Sequence, residues 1–440
     1  MSRPVPALTA PRKALKLAVL ERILDSGLRT LAVRKPGVPL VEVRLRIPFL
    51  SARPTHSARG ALLADSLLTG AGPYDRAALA SAIQGLGADL SVGVDADRLM
   101  IGGNVLATNL RPLLALLATV LTEPTFARDE VVGERERLVE RLSIARSRPG
   151  VVASEALGHR MFGEHPYALD LPQPRDVAAT TPAQLRSVHQ DLVRPGDAVL
   201  VVVGDISPAR VLDQVSTALA GWTGTSKPAR VPALPAPAPG PAVLVDRPGS
   251  VQSSIRIGGR AVGRTDHNYP ALQLANLIFG GYFSSRWTEN IREDKGYTYG
   301  PHSHIEHQVL GSSLLLDVEV ATDVTAPAML ETRYELGKIA SLPVTQAELD
   351  AVRQYAIGTL ALSTATQAGL ASTLAGLSAF GLGLDWVNDH PARLAGVSVE
   401  DVSAVAAEFF APAGLIEVIV GDAATITAPL AALGPISSDA

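Results

Sequence analysis

Residues 180–205 read TTPAQLRSVHQDLVRPGDAVLVVVGD, and residues 397–422 read VSVEDVSAVAAEFFAPAGLIEVIVGD. The two align without a gap. Each opens on a polar helix start and runs through an apolar-periodic helix. Each then breaks at a proline, Pro195 or Pro412, and ends in an apolar strand closing on Gly-Asp. A second pair, PTFARDEVVGERERLVERL from Pro124 and PVTQAELDAVRQYAIGTLAL from Pro343, falls at nearly the same offset. Two repeats of this length indicate a duplicated domain rather than a solenoid. In each half strands come first (VPLVEVRLRIP, SSIRIGGRAVG), helices follow, and a strand closes. Strands outside regular βαβ alternation predict an α+β fold, each half a mainly antiparallel sheet covered by helices.

Between the halves lies SKPARVPALPAPAPGPAVL, residues 226–244, whose alternating proline and alanine favour extended chain and exclude helix. The expected organisation is an N-terminal domain over 1–225, a linker over 226–244 and a C-terminal domain over 245–440. The length of 440 residues suits two cores better than one. With 47% hydrophobic and 19% charged residues the composition is that of a globular protein. The net charge of -4 is well mixed, with no basic stripe for nucleic acid and no polybasic membrane segment. The chain has no cysteine, which removes disulfides, thiolate metal sites and cysteine nucleophiles, and fits an expected cytoplasmic location. Prolines and charges in the first 24 residues interrupt the apolar run that a signal peptide needs. The uncharged stretch 356–384 is dense in Ser, Thr, Gly and Ala, and reads as buried helices rather than a membrane span.

One block stands out in a chain with only 4% aromatic residues: GGYFSSRWTENIREDKGYTYG, residues 280–300. Taken with PTFARDEVVGERERLVERL, FGEHPY (162–167) and the VVVGD strand end, it makes the chain resemble the pitrilysin, insulinase and mitochondrial processing peptidase family of inverted-motif zinc peptidases, small bacterial type. The resemblance covers nearly the whole sequence. It implies two homologous α+β halves joined by a linker. It also implies pairing of two such chains around an unfolded peptide.

The family's zinc site takes H-x-x-E-H on a helix of the first half, with a glutamate further on. The similar helix here is RGALLADSLLTG, and counting back from Gly70 places Ala61, Ala64 and Asp65 at the His, Glu and His positions. No shift of register recovers the motif, because the nearest histidine, His56, precedes the helix. The third ligand of the family is the second of two glutamates seven residues apart. In ERERLVERLS these positions fall on Glu136 and Ser143. Alanine has no lone pair, a neutral serine is a poor ligand, and Asp65 alone is too little for a site that wants three protein ligands. No cofactor is expected in this chain, and zinc is expected in the partner subunit. Glu134, Glu136 and Glu140 read as solvated helix charges.

The resemblance assigns substrate binding to an Arg and a Tyr seven residues apart, here Arg292 and Tyr299. A guanidinium offers fixed donors to peptide carbonyls, and a phenol can donate to a developing oxyanion. Gly296 allows a sharp turn between helix and strand. A competing reading makes Arg292 and Glu293 a surface ion pair and Tyr299 a strand aromatic. Among the histidines, His302 and His304 share a strand face while His307 points away. With Glu306 they could hold a metal, but a polar face on an aqueous chamber fits the spacing better. No G-x-S-x-G or phosphate loop occurs.

The expected function is that of a non-catalytic, substrate-binding subunit of a heterodimeric zinc metallopeptidase, cleaving peptides in a closed chamber. Its partner would be a homologous zinc-binding subunit. A structural pseudo-peptidase scaffold is the alternative, and an autonomous hydrolase built on His302 and His304 is a third reading. A homodimer would contain no complete zinc site.

Overall fold

The strands that close the two repeats become central strands of two sheets. The computed structural model describes residues 16–169, 171–225 and 230–438. In the first half, β1 (Ala18–Ile23), β2 (Arg29–Arg34) and β3 (Leu40–Pro48) precede a two-stranded ribbon of β4 (Gly70–Ala71) and β5 (Tyr74–Asp75). They are followed by β6 (Asp89–Val94), β7 (Arg98–Leu106) and β8 (Val199–Gly204). The main sheet runs β1-β2-β8-β3-β7-β6, with only the β2/β8 pair parallel. The second half supplies β9 (Ala242–Asp246), β10 (Gln252–Ala261), β11 (His302–Gln308), β12 (Gly311–Ala321), β13 (Ile416–Gly421) and β14 (Ile436–Ser438). Their order is β11-β12-β10-β13-β9-β14, with parallel pairs at β13/β9 and β9/β14. Five strands therefore correspond one to one, β6-β7-β3-β8-β2 with β11-β12-β10-β13-β9. The helices preceding β8 and β13, Pro182–Leu192 and Val399–Phe409, both start with a capping box, from Thr181 and Gln184 or Ser398 and Asp401. Each satisfies two amide donors at the helix start, which is why both repeats open on polar residues.

Every residue of β8 and of β13 is buried. Strands covered on both faces read as continuous apolar runs, and here the second cover comes from the other half. Helix Gln367–Ser378 lays Leu370, Leu374 and Leu377 against Val199, Val201 and Val203 of the first sheet. In return, helix Pro149–Phe162 packs Leu157 and Met161 against Val243, Ile416 and Val418 of the second. A Cβ on Gly258 would lie 2.5 Å from the Met161 sulfur, so any side chain here would require Met161 to move. Polar contacts reinforce the exchange. Gln367 Nε2 donates to the Lys35 carbonyl at 2.9 Å, and Arg247 donates to the Ser147 carbonyl at 2.7 Å.

A second tie joins the tips of two hairpins. Tyr167 Oη donates to Asp97 at 2.5 Å, and the Val309 amide donates to the other Asp97 oxygen at 2.8 Å. The Leu310 amide then donates to Tyr167 Oη at 3.2 Å. Burial, and then the Asp97 hydrogen bond and charge, push the Tyr167 hydroxyl well above its usual pKa. Between the lobes lies a cavity of about 890 Å³, whose wall includes Asp97, Met161, Arg256, His304, Phe380 and Trp386.

Part of the expected linker differs. Residues 226–229 lie outside the described residues, 230–241 are irregular, and β9 already begins at Ala242. The apolar end of the Pro/Ala stretch is thus a sheet strand, because Ala242–Leu244 can pair with β13 and bury on both sides. The uncharged stretch forms helices Gln346–Ser363 and Gln367–Ser378. Among the described residues no helix is long and apolar enough to cross a membrane.

Candidate functional site

In the first lobe, helix His56–Ser66 buries Ala58, Leu62 and Leu63 and leaves a half-exposed stripe holding Ala61 and Asp65, with Ala64 buried beside it. Opposite runs helix Arg128–Arg146, which buries Val131, Glu134, Leu138 and Leu142 at helical spacing. Its side chain facing Asp65 is Arg141, with Nη2 2.6 Å from Asp65 Oδ2. Ser143 does not make this contact. Two residues along a helix is about 200° of rotation, so a face that presents Arg141 turns Ser143 away. The Ser143 hydroxyl instead donates to the Val139 carbonyl of its own helix at 2.8 Å. Burial raises the Asp65 carboxyl above its usual pKa, although the charge and hydrogen bond of Arg141 pull it back.

Glu134 is also not the solvated charge that the sequence suggested. It is buried, 2.7 Å from Arg137 and 2.8 Å from Arg76. Burial works against its ionised form, but hydrogen bonds from the two arginines outweigh it and hold the carboxyl below its usual value. Glu136 and Glu140 are exposed. The polar groups on this face are therefore turned on one another.

In the second lobe the Arg/Tyr block is anchored from beneath. Trp287 is fully buried, stacks on Phe279 at 5.4 Å and donates Nε1 to Thr332 Oγ1 at 3.0 Å. Arg286 is spent on a two-point ion pair with Glu348, at 2.7 and 3.0 Å. Lys295 lies 3.5 Å from Glu331. Two π-helical turns, Leu277–Gly281 and Glu289–Asp294, bracket the block; such turns are rare and recur at functional sites. Gly296, at φ 65°, reverses the chain as expected. The Tyr297 amide then closes the turn on the Ile291 carbonyl at 2.9 Å.

Above this base Arg292 and Tyr299 stand together, the guanidinium carbon 5.0 Å from the Tyr299 ring centre. The Arg292–Glu293 ion pair is present too, at 3.2 Å through Nε. Tyr299 is 86% exposed, so it fills no strand core. Neither residue lines the cavity between the lobes. The sequence reading missed Phe283, whose ring centre lies 4.4 Å from the same guanidinium carbon. The only sequence signal for it was an aromatic residue at a glycine-rich turn.

On β11, His302 and His304 stack at 5.3 Å on one face, and His304 lines the cavity with its Nδ1 3.7 Å from Asp317. Burial lowers the pKa of His304, and it takes that of His307, on the opposite face, down to about 3. Among the described residues no three His, Cys, Asp or Glu side chains come together in a way that could hold a metal ion.

The sequence profile of the family described as Peptidase M16 inactive domain matches residues 179–355. An uncharacterized zinc protease of Streptomyces coelicolor is 25% identical over 398 residues, covering 87% of this chain and 85% of that protein. A probable inactive metalloprotease of Bacillus subtilis is 27% identical over 211 residues, 44% of this chain and 47% of its own. The crystal structure of a peptidase M16 inactive domain from Pseudomonas fluorescens superposes with a TM-score of 0.83 at 25% identity. It covers 92% of this chain and 98% of that one.

The chain is similar to the M16 (pitrilysin) peptidase family in both its profile match and its fold. Among the described residues it has no cluster of side chains that could hold the zinc of such peptidases. The zinc of catalytic relatives does not fit the residues present. Ala61 and Ala64 have no lone pair to offer, and Asp65 is engaged by a cation that would repel a metal ion.

Proposed function

We propose that this chain is the substrate-binding, non-catalytic subunit of a heterodimeric zinc metallopeptidase and acts in the cytoplasm. A homologous subunit would carry the complete H-x-x-E-H site, and the pair would enclose a peptide. Arg292 would bind the peptide's carbonyls and Tyr299 would donate to the reacting oxygen. The proposal extends to the division of the chain, with 1–225 as the degenerate zinc-site unit, a connection that ends where β9 begins at Ala242, and the remainder to 440 as the Arg/Tyr unit.

One contrast carries the reading. Where the metal would sit, Asp65 is tied to Arg141, while the 86% exposed Tyr299 stands beside a half-buried Arg292 that is engaged by Glu293 only through Nε. Alignment of substrate by a subunit without chemistry is worth having, since fixing a near-attack geometry can lower a barrier by roughly 7–11 kcal/mol.

The test is reconstitution with a homologous chain that carries H-x-x-E-H, assayed on a quenched fluorogenic peptide. Neither chain alone should turn over at the rate of the mixture, and Arg292→Ala or Tyr299→Phe should lower kcat/KM. Wild-type turnover with both variants sinks the substrate-holding role. Assembly without any cleavage supports the scaffold alternative.

A further inference from the structure

Phe283 leaves the glycine pair Gly280 and Gly281 through Tyr282, whose backbone is extended at φ -153° and ψ 173°. Successive side chains of extended backbone point in opposite directions. Tyr282 accordingly turns inward to pack on Tyr355 at 5.0 Å, and Phe283 turns outward to stand 61% exposed. An exposed phenylalanine beside a buried tryptophan forgoes burial, so its position calls for another reason. Its neighbour supplies one. The Arg292 guanidinium carbon is 4.4 Å from the Phe283 ring centre and 5.0 Å from that of Tyr299, within cation–π range of both.

We propose that Phe283 is a positioning residue for Arg292, forming with Tyr299 an aromatic clamp that aims the guanidinium at an extended peptide. The inference deepens the proposed function and rests on it for the identity of the ligand. A guanidinium is planar and all five of its N–H donors lie in that plane. Two aromatic rings lie within cation–π range of the guanidinium and Glu293 engages Nε, which among the described residues leaves the Nη donors for carbonyl acceptors. Arg292 without the clamp has several rotatable bonds and a ready collapse onto Glu293. Ordering such a side chain at the moment of binding costs affinity, and ordering it beforehand removes that cost. Phe283 therefore acts through Arg292 and need not touch the peptide itself.

Two measurements separate this inference from the functional reading beneath it. The first uses the isolated chain and no substrate: the arginine Nε–Hε NMR signals of wild type, Phe283→Leu and Phe283→Trp. The Arg292 Hε signal should be displaced by ring current in wild type and Phe283→Trp, and should move towards the bulk arginine position in Phe283→Leu. The second is steady-state cleavage by the reconstituted pair. Phe283→Leu should raise KM by about threefold, the scale of an exposed cation–π contact, with kcat little changed and rescue by Phe283→Trp. An unmoved Arg292 signal in Phe283→Leu overturns the clamp whatever the enzymology says. A full effect of Arg292→Ala beside a wild-type KM for Phe283→Leu also overturns it. An Arg292→Ala variant with wild-type turnover overturns the functional reading, while the NMR result still decides whether the clamp exists.

Discussion

The two lobes descend from one pattern and treat their polar groups in opposite ways. In the first, helices His56–Ser66 and Arg128–Arg146 face each other with Asp65 on Arg141 and Glu134 between Arg76 and Arg137. In the second, the ion pairs Arg286–Glu348 and Lys295–Glu331 lie at the base of the block, and above them Tyr299 stands beside Arg292, which pairs with Glu293 through Nε. Charges closed on one another have fewer donors left for a ligand. Donors held at the surface by a buried anchor such as Trp287 are available. The difference teaches that the same α+β frame can be closed at one site and kept open at its counterpart.

The strongest way to break the comparison is to remove the covers the lobes exchange. Leu374→Ala in helix Gln367–Ser378 should cost about 2–5 kcal/mol, as for other buried Leu→Ala changes. Because that helix covers the first sheet while belonging to the second half, urea denaturation should show both lobes losing stability together. Two separate transitions would mean that the exchange does not couple them.

Next in size is the open site. Tyr299→Phe removes one hydroxyl from an 86% exposed residue, so thermal stability should stay within error. If the phenol donates to the reacting oxygen, kcat of the reconstituted pair should fall by ~10²-fold or more. A change in Tm with no change in kcat would return Tyr299 to a structural role.

Smaller again is the hairpin tie. Tyr167→Phe leaves Asp97 without one donor and the Leu310 amide without its acceptor. A loss of roughly 1–2 kcal/mol is expected in chemical denaturation, with faster amide exchange at Leu310 as the local readout.

The smallest effects are in pH, and the lobes should differ in sign. Burial raises Asp65 above its ordinary 3.8, so the native state holds its proton longer than the unfolded chain. This group's contribution is present below the unfolded pKa and is lost as pH rises through the folded one. Glu348 behaves the other way. Burial opposes its charge, but hydrogen bonds from Arg286 and Thr345 hold it at about 2, against an ordinary 4.5. Its contribution is present above 4.5 and is lost as pH falls towards 2. Solvent screening of this partly exposed pair keeps it to about 1 kcal/mol or less. Asp65→Asn should flatten the first dependence and Glu348→Gln the second, measured as denaturation midpoints across the acid range. The same sign for both variants would contradict the contrast between the lobes.

Much of this was legible in the chain itself. The ungapped repeat appears in space as the capping boxes at Thr181 and Ser398 and the strands β8 and β13. Periodicity, capping and strand hydrophobicity are local properties, carried by residues a few positions apart. Ala61 and Ala64 could be judged without coordinates too, because no environment gives a methyl group a lone pair. Other features resisted for an equally physical reason. Residue type cannot say whether Arg141 or Ser143 meets Asp65, since that depends on the rotation of one helix against another 76 residues away. It could not show that Glu134 is buried, that each half lends a helix to the other's sheet, or that Phe283 flanks Arg292. The sequence by itself determined a duplicated α+β frame and the loss of the metal-binding residues. Only the tertiary structure decided which charges were closed on each other and which donors stayed open, because those choices rest on contacts between segments far apart in the chain.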